Sequence, residues 1–330
     1  MKWMVASASG MAGLQAMENM AAALARGKNP PALIWINDHG TDMNLLALLG
    51  NEVPEFLDLI QVHWNVMEHD GLMPTLHTPG PPPKNQVPIL VVEQIPPFLV
   101  KSDPAENPLL KILRTSKAVV QLGTDACFGG MAIPPERVAQ FDLLCRELKT
   151  PVIKLPGVPT PPHHVVGVLA HLEFFGFPRL DGHRRPLIFY GETVCQHCEH
   201  QGDLQRGRFA KHYGGKGCLL NLGCKGPITH NTCSKQHWNG GQNWCVGAGG
   251  PCTGCSEPGF PEHNGLGLFG KLSGSIAGVD PGVWGNIERI GLGILGLAAG
   301  GVLLQGLRKF FAGEGENRSE GTMRPPREEN

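Results

Sequence analysis

The sequence predicts an α/β domain built on a parallel sheet, then an irregular cysteine-rich domain, then an apolar C-terminal helix. Three observations carry this. Short Val- and Ile-rich runs alternate with helical stretches through the first half. No cysteine precedes Cys127, and eight of the ten fall between Cys195 and Cys255. A stretch without charge, 290–307, precedes a polar tail.

The candidate strands, in order, are Pro31–Ile36, Leu57–Trp64, Val87–Ile95, Ala118–Gly123, Pro151–Leu155 and Leu187–Tyr190. They are short apolar runs, as strands buried on both faces should be. Helical stretches fit between them at Asp42–Leu49, Pro104–Ser116, Pro135–Lys149 and His163–Phe175. Asp103 before Pro104 is a helix-start signal. Strand–helix alternation argues for a helix-covered parallel sheet over residues 29–190. Pro79–Lys84 reads as a connecting loop. Residues 1–28 are an N-terminal segment with one early cation, Lys2, and a small apolar run broken by Glu18. That is a weak match to a degenerate export signal.

Residues 191–280 change character. Gly, Cys, His and Asn dominate and apolar periodicity vanishes. So irregular a segment buries little apolar surface, and the cysteines are the obvious staples. Over 286–310 the chain predicts a transmembrane helix, because eighteen helical residues span about 27 Å, close to a bilayer core. Gly296 and Gly300 form a small-xxx-small pair that allows close helix contact. The tail, 311–330, is polar and predicted to be disordered.

Composition excludes other classes. A net charge of −1 with 17% charged residues excludes a strongly basic nucleic-acid binder. The 45 glycines and 29 prolines point to many loops and tight turns. No GxxxxGK[ST] phosphate loop occurs, and GLGLFG at 265–270 lacks a strand before it. Cys127 and Cys145 read as plain buried thiols. The Pro162-His163-His164 step reads as a helix start rather than a metal pair, and His69, His77 and His230 carry no assignment.

The remaining cysteines run Cys195-x2-Cys198, Cys218-x5-Cys224, Cys233, Cys245 and Cys252-x2-Cys255. Eight thiols suit two four-ligand sites. Thiolates hold iron–sulfur clusters, typically four per 4Fe–4S cluster. Four thiolates also hold zinc. Spacing alone does not separate the two, and disulfides are a third option.

The words around the cysteines narrow the choice. GCKGPITHNTC (Gly223–Cys233), NWCVGAGGPCTGCSEPGF (Asn243–Phe260) and FYGETVCQHC (Phe189–Cys198) resemble the small subunit of nickel–iron hydrogenases. PPALIWI, VPILVVEQIP, VVQLGTDACFGG and VIKLPGVP sit, more loosely, where that family has its strand-end motifs. The resemblance implies a flavodoxin-like domain followed by an iron–sulfur domain and a membrane anchor. It implies an electron-transfer subunit with no nickel–iron site of its own. Its partner would be a hydrogenase large-subunit-like protein, with a membrane cytochrome or quinone-linked acceptor beyond.

Carried over residue by residue, the resemblance implies two 4Fe–4S clusters. The distal-like set is Cys195, Cys198, Cys218 and Cys224, with Cys195 where the family has His. His197 is an alternative ligand in the wrong register. The medial-like set is Cys233, Cys245, Cys252 and Cys255, with Cys245 at a corner often held by Pro. The family's proximal cluster draws on a CxxC after the first strand, on GTC and on PGCP. Here those places read NDHGTDMN (37–44), Gly123-Thr124-Asp125 and Pro156-Gly157-Val158-Pro159. No proximal cluster is therefore expected, while the crevice at the strand ends should persist. Asp125 is expected to satisfy backbone donors at the Cys127–Gly130 turn. Glu93 matches a Glu of the family's VEG motif, with Gln94 in place of Gly.

The missing cluster also implies a second reading, a non-catalytic hydrogenase-like paralogue with an assembly, regulatory or scaffolding role. Family members are commonly exported by a twin-arginine signal. No such pair is evident here, which leaves the side of the membrane open between a periplasmic body and a cytoplasmic one.

Overall fold

The computed structural model describes residues 33–36, 44, 47–48, 64–70, 73–77, 87–95, 97, 108–238, 241–263 and 265–272. The expected segment 1–28, the loop Pro79–Lys84, the membrane helix 286–310 and the tail 311–330 lie outside the described residues. Among the described residues no helix is long and apolar enough to cross a membrane. Apart from Gln205–Arg208, the described residues belong to one compact unit.

Six strands form one sheet in the order β3-β2-β1-β4-β5-β6. They are β1 (Leu33–Ile36), β2 (Trp64–Asp70), β3 (Met73–His77), β4 (Ile89–Val92), β5 (Ala118–Leu122) and β6 (Val152–Leu155). Every neighbouring pair is parallel except β2 with β3. Without β3 the order is that of a doubly wound sheet, reversing between β1 and β4.

The strands are buried at every position in β1, β4, β5 and β6. Alternation sends successive side chains to opposite faces. Leu33, Trp35, Ile89, Val91, Val120, Leu122, Ile153 and Leu155 meet the helix α4 (Pro162–Phe174) on one face. Ile34, Ile36, Leu90, Val92, Val119 and Val152 meet α1 (Pro108–Thr115) and α3 (Pro135–Glu147) on the other. A short helix, α2 (Thr124–Phe128), follows β5 directly. Each such Val, Leu or Ile contributes roughly 1.5–3 kcal/mol by leaving water. Pro135 and Pro162 each open their helix at its first turn, where a missing N–H costs nothing.

Two expectations are corrected. Leu187–Tyr190 is not a strand but a helical turn, α5. Phe189 and Tyr190 are buried against the first core, whereas Leu187 and Ile188 are exposed. Pro186 precedes the turn, and four apolar residues are too few for periodicity to tell helix from strand. Of the strand expected at Leu57–Trp64 only Trp64 is described, and it opens β2; residues 57–63 lie outside the described set. The antiparallel edge strand β3, carrying Pro74, was not anticipated.

The cysteine-rich region is built differently. Its elements are short: 3-10 helices at Val194–His197 and Leu219–Leu222, a five-residue helix at Gln201–Gln205, and α6 (Cys233–Gln236). Its core is small: Val194, Ala210, Leu219, Trp244, Val246 and Cys252. Gly223 closes the second turn at φ 92°, and a Cβ there would lie 2.2 Å from the Phe269 carbonyl oxygen. Only glycine satisfies both demands.

Candidate metal centre

The first cysteine set is assembled from two turns. Thr193 and Gln196 form a capping box that opens the turn bearing Cys195, and Cys198 closes it. Cys218 precedes the Leu219–Leu222 turn, and Cys224 follows Gly223. Backbone bonds from Val194 N to Thr229 O (2.7 Å) and from Cys195 N to Gly226 O (3.1 Å) lock the first turn beside the chain after Cys224. Cys195, Cys198, Cys218 and Cys224 thereby line one small pocket, walled by Val194, Leu219, Leu220, Pro227 and Val246.

Burial, reinforced by the neighbouring thiols, pushes the Cys195 thiol up to about 12. It pushes Cys198 and Cys218 to about 11. Opposing this, backbone N–H groups point at sulfur: His200 at Cys198 (3.4 Å) and Cys252 at Cys224 (3.3 Å). Leu220 and Gly226 do the same for Cys218 and Cys224. His197 turns away, with its Nε2 3.0 Å from the Glu192 carboxylate.

The second set lies beside the first. Cys233 opens α6; burial and then the Cys255 and Cys245 thiols raise its pKa. Burial, Cys224 and Cys255 act likewise on Cys252. Cys255 is raised to about 11 by burial, while the Val158 backbone N–H at its sulfur lowers it. Cys245 is the exposed member. Lys225, fully buried, donates its backbone N–H to Cys252 O (2.8 Å). Its ammonium donates to the carbonyls of Leu268 (2.7 Å), Gly270 (3.3 Å) and Gly223 (3.4 Å). Burial lowers the pKa of that ammonium, and the Cys252 and Cys224 thiols work against the shift.

All ten cysteines are free thiols. Among the described residues no three His, Cys, Asp or Glu side chains close on a single point as ligands of one ion would. Zinc needs its thiolates about 2.3 Å from one centre. A cluster spreads its thiolates over several irons, and four soft thiols around an apolar pocket suit that donor set.

A larger crevice opens where β4, β5 and β6 end; Asn44, Glu93, Gln94, Thr124, Asp125, Met131, Val158 and Phe260 line it among others. Glu93 is buried and accepts from Trp35 Nε1 (3.2 Å) and Asn44 Nδ2 (2.8 Å). Asn44 Oδ1 in turn accepts from Thr160 N (2.7 Å). The Asp125 carboxylate accepts from the backbone N–H of Ala132 (2.9 Å), two residues beyond the turn expected to use it. Among the described lining residues there is no cysteine. The crevice shares a wall with the second cysteine set: Thr124 Oγ1 donates to the Cys255 carbonyl and accepts from Gly157 N. Cys127 and Cys145 are buried, and burial raises both to about 12.

The family model for the C-terminal part of the NiFe/NiFeSe hydrogenase small subunit matches residues 190–266, which contain all eight clustered cysteines. The chain resembles the small subunits of nickel–iron hydrogenases. It is 31% identical over 231 residues to the hydrogenase-2 small chain of Escherichia coli K12, covering 64% of this chain and 61% of that one. It is 36% identical over 167 residues to the periplasmic [NiFe] hydrogenase small subunit of Solidesulfovibrio fructosivorans, covering 49% and 53%. The fold is shared with the Ni-Fe-Se hydrogenase of Desulfomicrobium baculatum, at TM-score 0.56 and 24% identity over 73% of this chain and all of that one. It is also shared with the actinobacterial-type NiFe-hydrogenase of Ralstonia eutropha H16, at TM-score 0.58 and 21% identity over 91% and 95%. The chain thus spans about three fifths of the curated relative it matches over most residues among these.

Sequence reasoning missed one polar set beside the cysteines. His163, His164, Tyr190 and Thr232 join in the interior. The only signal was the paired histidines, which read as a helix start and do stand in the first turn of α4.

Proposed function

We propose that the chain is an iron–sulfur electron-transfer subunit of the hydrogenase small-subunit kind, holding two 4Fe–4S clusters. Cys195, Cys198, Cys218 and Cys224 would hold one, and Cys233, Cys245, Cys252 and Cys255 the other. The observation that carries the reading is the convergence of the first four thiols, from two separate turns, on one apolar pocket. Each cluster, when bound, supplies a one-electron carrier.

The chain's own residues define the surroundings. Val194, Leu219, Leu220 and Val246 give the first set apolar walls. The N–H groups of His200, Leu220, Gly226 and Cys252 stabilise negative charge on sulfur, which raises potential. Cys195 works in the other direction. Histidine in place of cysteine raises the potential of Rieske centres, so an all-thiolate set lowers it. Lys225 sets one positive charge beside both sets.

At the strand-end crevice, Asp125 is a hard ligand already bonded to backbone and Val158 is aliphatic. Neither suits an iron–sulfur cluster. The reading therefore places no cluster there. This favours, as a second reading, a non-catalytic paralogue serving assembly, regulation or scaffolding.

The partner proposed is a hydrogenase large-subunit-like protein, with a membrane cytochrome or quinone-linked acceptor. One relative is named a quinone-reactive Ni/Fe-hydrogenase small chain, from Wolinella succinogenes. Anchoring by 286–310, on the periplasmic side as another relative's name suggests, completes the proposal.

Iron and acid-labile sulfide content with EPR, on anaerobically purified protein, tests it. About eight of each per chain is expected for two clusters. Zinc, or no metal, overturns the reading, and about twelve of each would put a cluster in the crevice. Deleting 286–330 should release the protein from membranes; continued pelleting would refute the anchor.

A further inference from the structure

Four polar groups form a continuous chain through the interior between α4 and the cysteine-rich region. His163 Nε2 lies 3.2 Å from Thr232 Oγ1, and His164 Nε2 lies 2.6 Å from the same oxygen. His164 Nδ1 lies 3.0 Å from the Tyr190 hydroxyl, which lies 2.8 Å from the Pro156 carbonyl oxygen. His164 is fully buried and stacks on Phe189, with ring centroids 4.3 Å apart.

Donor–acceptor chemistry fixes every proton in this chain. The Pro156 carbonyl only accepts, so Tyr190 gives it its one hydroxyl proton. The Tyr190 oxygen must then accept from His164 Nδ1–H. Burial keeps the His164 imidazole neutral, so Nε2 carries no proton and accepts from the Thr232 hydroxyl. The Thr232 oxygen is left to accept from His163 Nε2–H. The direction is single, from His163 to Pro156. A backbone carbonyl has no proton to hand on, so the chain is a brace and not a proton wire.

The two ends of the brace matter. Thr232 precedes Cys233, and its carbonyl accepts from Lys235 N (2.8 Å) and Gln236 N (2.9 Å), which sets the turn bearing Cys233. Pro156 leads into Gly157, whose backbone N–H donates to Thr124 Oγ1 (2.9 Å), and that hydroxyl donates to the Cys255 carbonyl. We infer that His164 is a positioning residue that holds Cys233 and Cys255 in register through Thr232 and the Pro156–Val158 loop. This rests on the reading above, in which those two cysteines hold one cluster.

The test is an EPR-monitored redox titration, with iron and sulfide content, on anaerobically purified full-length protein. His164→Phe keeps the ring and its stacking but removes both nitrogens. It should shift the potential and broaden the signal of one cluster and leave the other unchanged. Thr232→Val should reproduce this, and Thr232→Ser, which keeps the hydroxyl, should restore the parent behaviour. Unaltered signals and potentials in both His164→Phe and Thr232→Val would overturn the inference. So would an equal change in both clusters, which marks a general defect. If His164→Phe does not fold, Thr232→Val and Tyr190→Phe decide. Parent protein without iron defeats the underlying reading, and the His164 assignment falls with it; parent protein with two clusters and silent variants defeats only the inference.

Discussion

The sheet and the cysteine-rich region solve the same problem by different means. Around β1, β4, β5 and β6, two layers of fully buried Val, Ile and Leu hold the fold. Around the cysteines, six buried side chains form the core, one of them Cys252 itself. The turns there depend on left-handed glycines such as Gly223 and on backbone bonds between separate loops. Hydrophobic burial scales with apolar area, and the second region has little of it. The contrast teaches that the sheet has apolar burial enough to stand on, while the cysteine-rich region has little, so the clusters proposed for its thiols would form part of its core.

The sharpest way to break this comparison is to strip metal from anaerobically purified protein. Amide exchange should then accelerate across Val194–Cys255 while β1, β4, β5 and β6 stay protected. Equal protection before and after would show that the cysteine-rich region needs no ligand.

Next comes the joint between the regions. Arg185 is buried, donates to Asp181 from Nε (2.7 Å), and donates from one Nη to Glu257 (2.9 Å) and to the Ser256 carbonyl (3.0 Å). Arg185→Met strands two carboxylates and should cost about 3–5 kcal/mol in denaturant unfolding. A cost near zero would mean that the regions are energetically independent. Within the sheet, Leu122→Ala should cost about 2–5 kcal/mol through the cavity it leaves, with iron content of the folded protein unchanged.

A smaller effect depends on pH. Burial depresses the pKa of His164 far below its ordinary value, so the unfolded chain binds a proton that the folded one does not. Its contribution is present in full above about pH 6.5, its unfolded value, and is lost as pH falls below that. His164→Phe should flatten the fall in stability on the acid side of about 6.5; an identical profile would show that His164 is accessible to protons in the fold. The smallest effect belongs to the exposed Lys117–Glu173 pair, 3.5 Å apart. Lys117→Ala should change stability by less than about 1 kcal/mol.

The sheet was largely legible because buried parallel strands announce themselves as continuous apolar runs, as Ala118–Leu122 and Val152–Leu155 do. Leu187–Tyr190 misled for the same reason, since an apolar run of four residues carries no period. The eight clustered cysteines were legible from the words around them. Their grouping followed from the resemblance, and the first four do meet in one pocket. The brace from His163 to Pro156 was not legible, because its members are spread from Pro156 to Thr232 and nothing local marks a partner 68 residues away.

By itself the sequence determined where β1, β4, β5 and β6 and the helices α3 and α4 fall, the position of the thiols and the absence of cysteine at Asp125 and Val158. These are local facts, written in residue type and spacing. Only the tertiary structure decided which side chains meet. It carried Thr124 Oγ1 to the Cys255 carbonyl, Arg185 to Glu257 and Thr232 to His164. A hydrogen bond needs its atoms within about 3.5 Å and aligned, and only the folded chain brings distant residues that close.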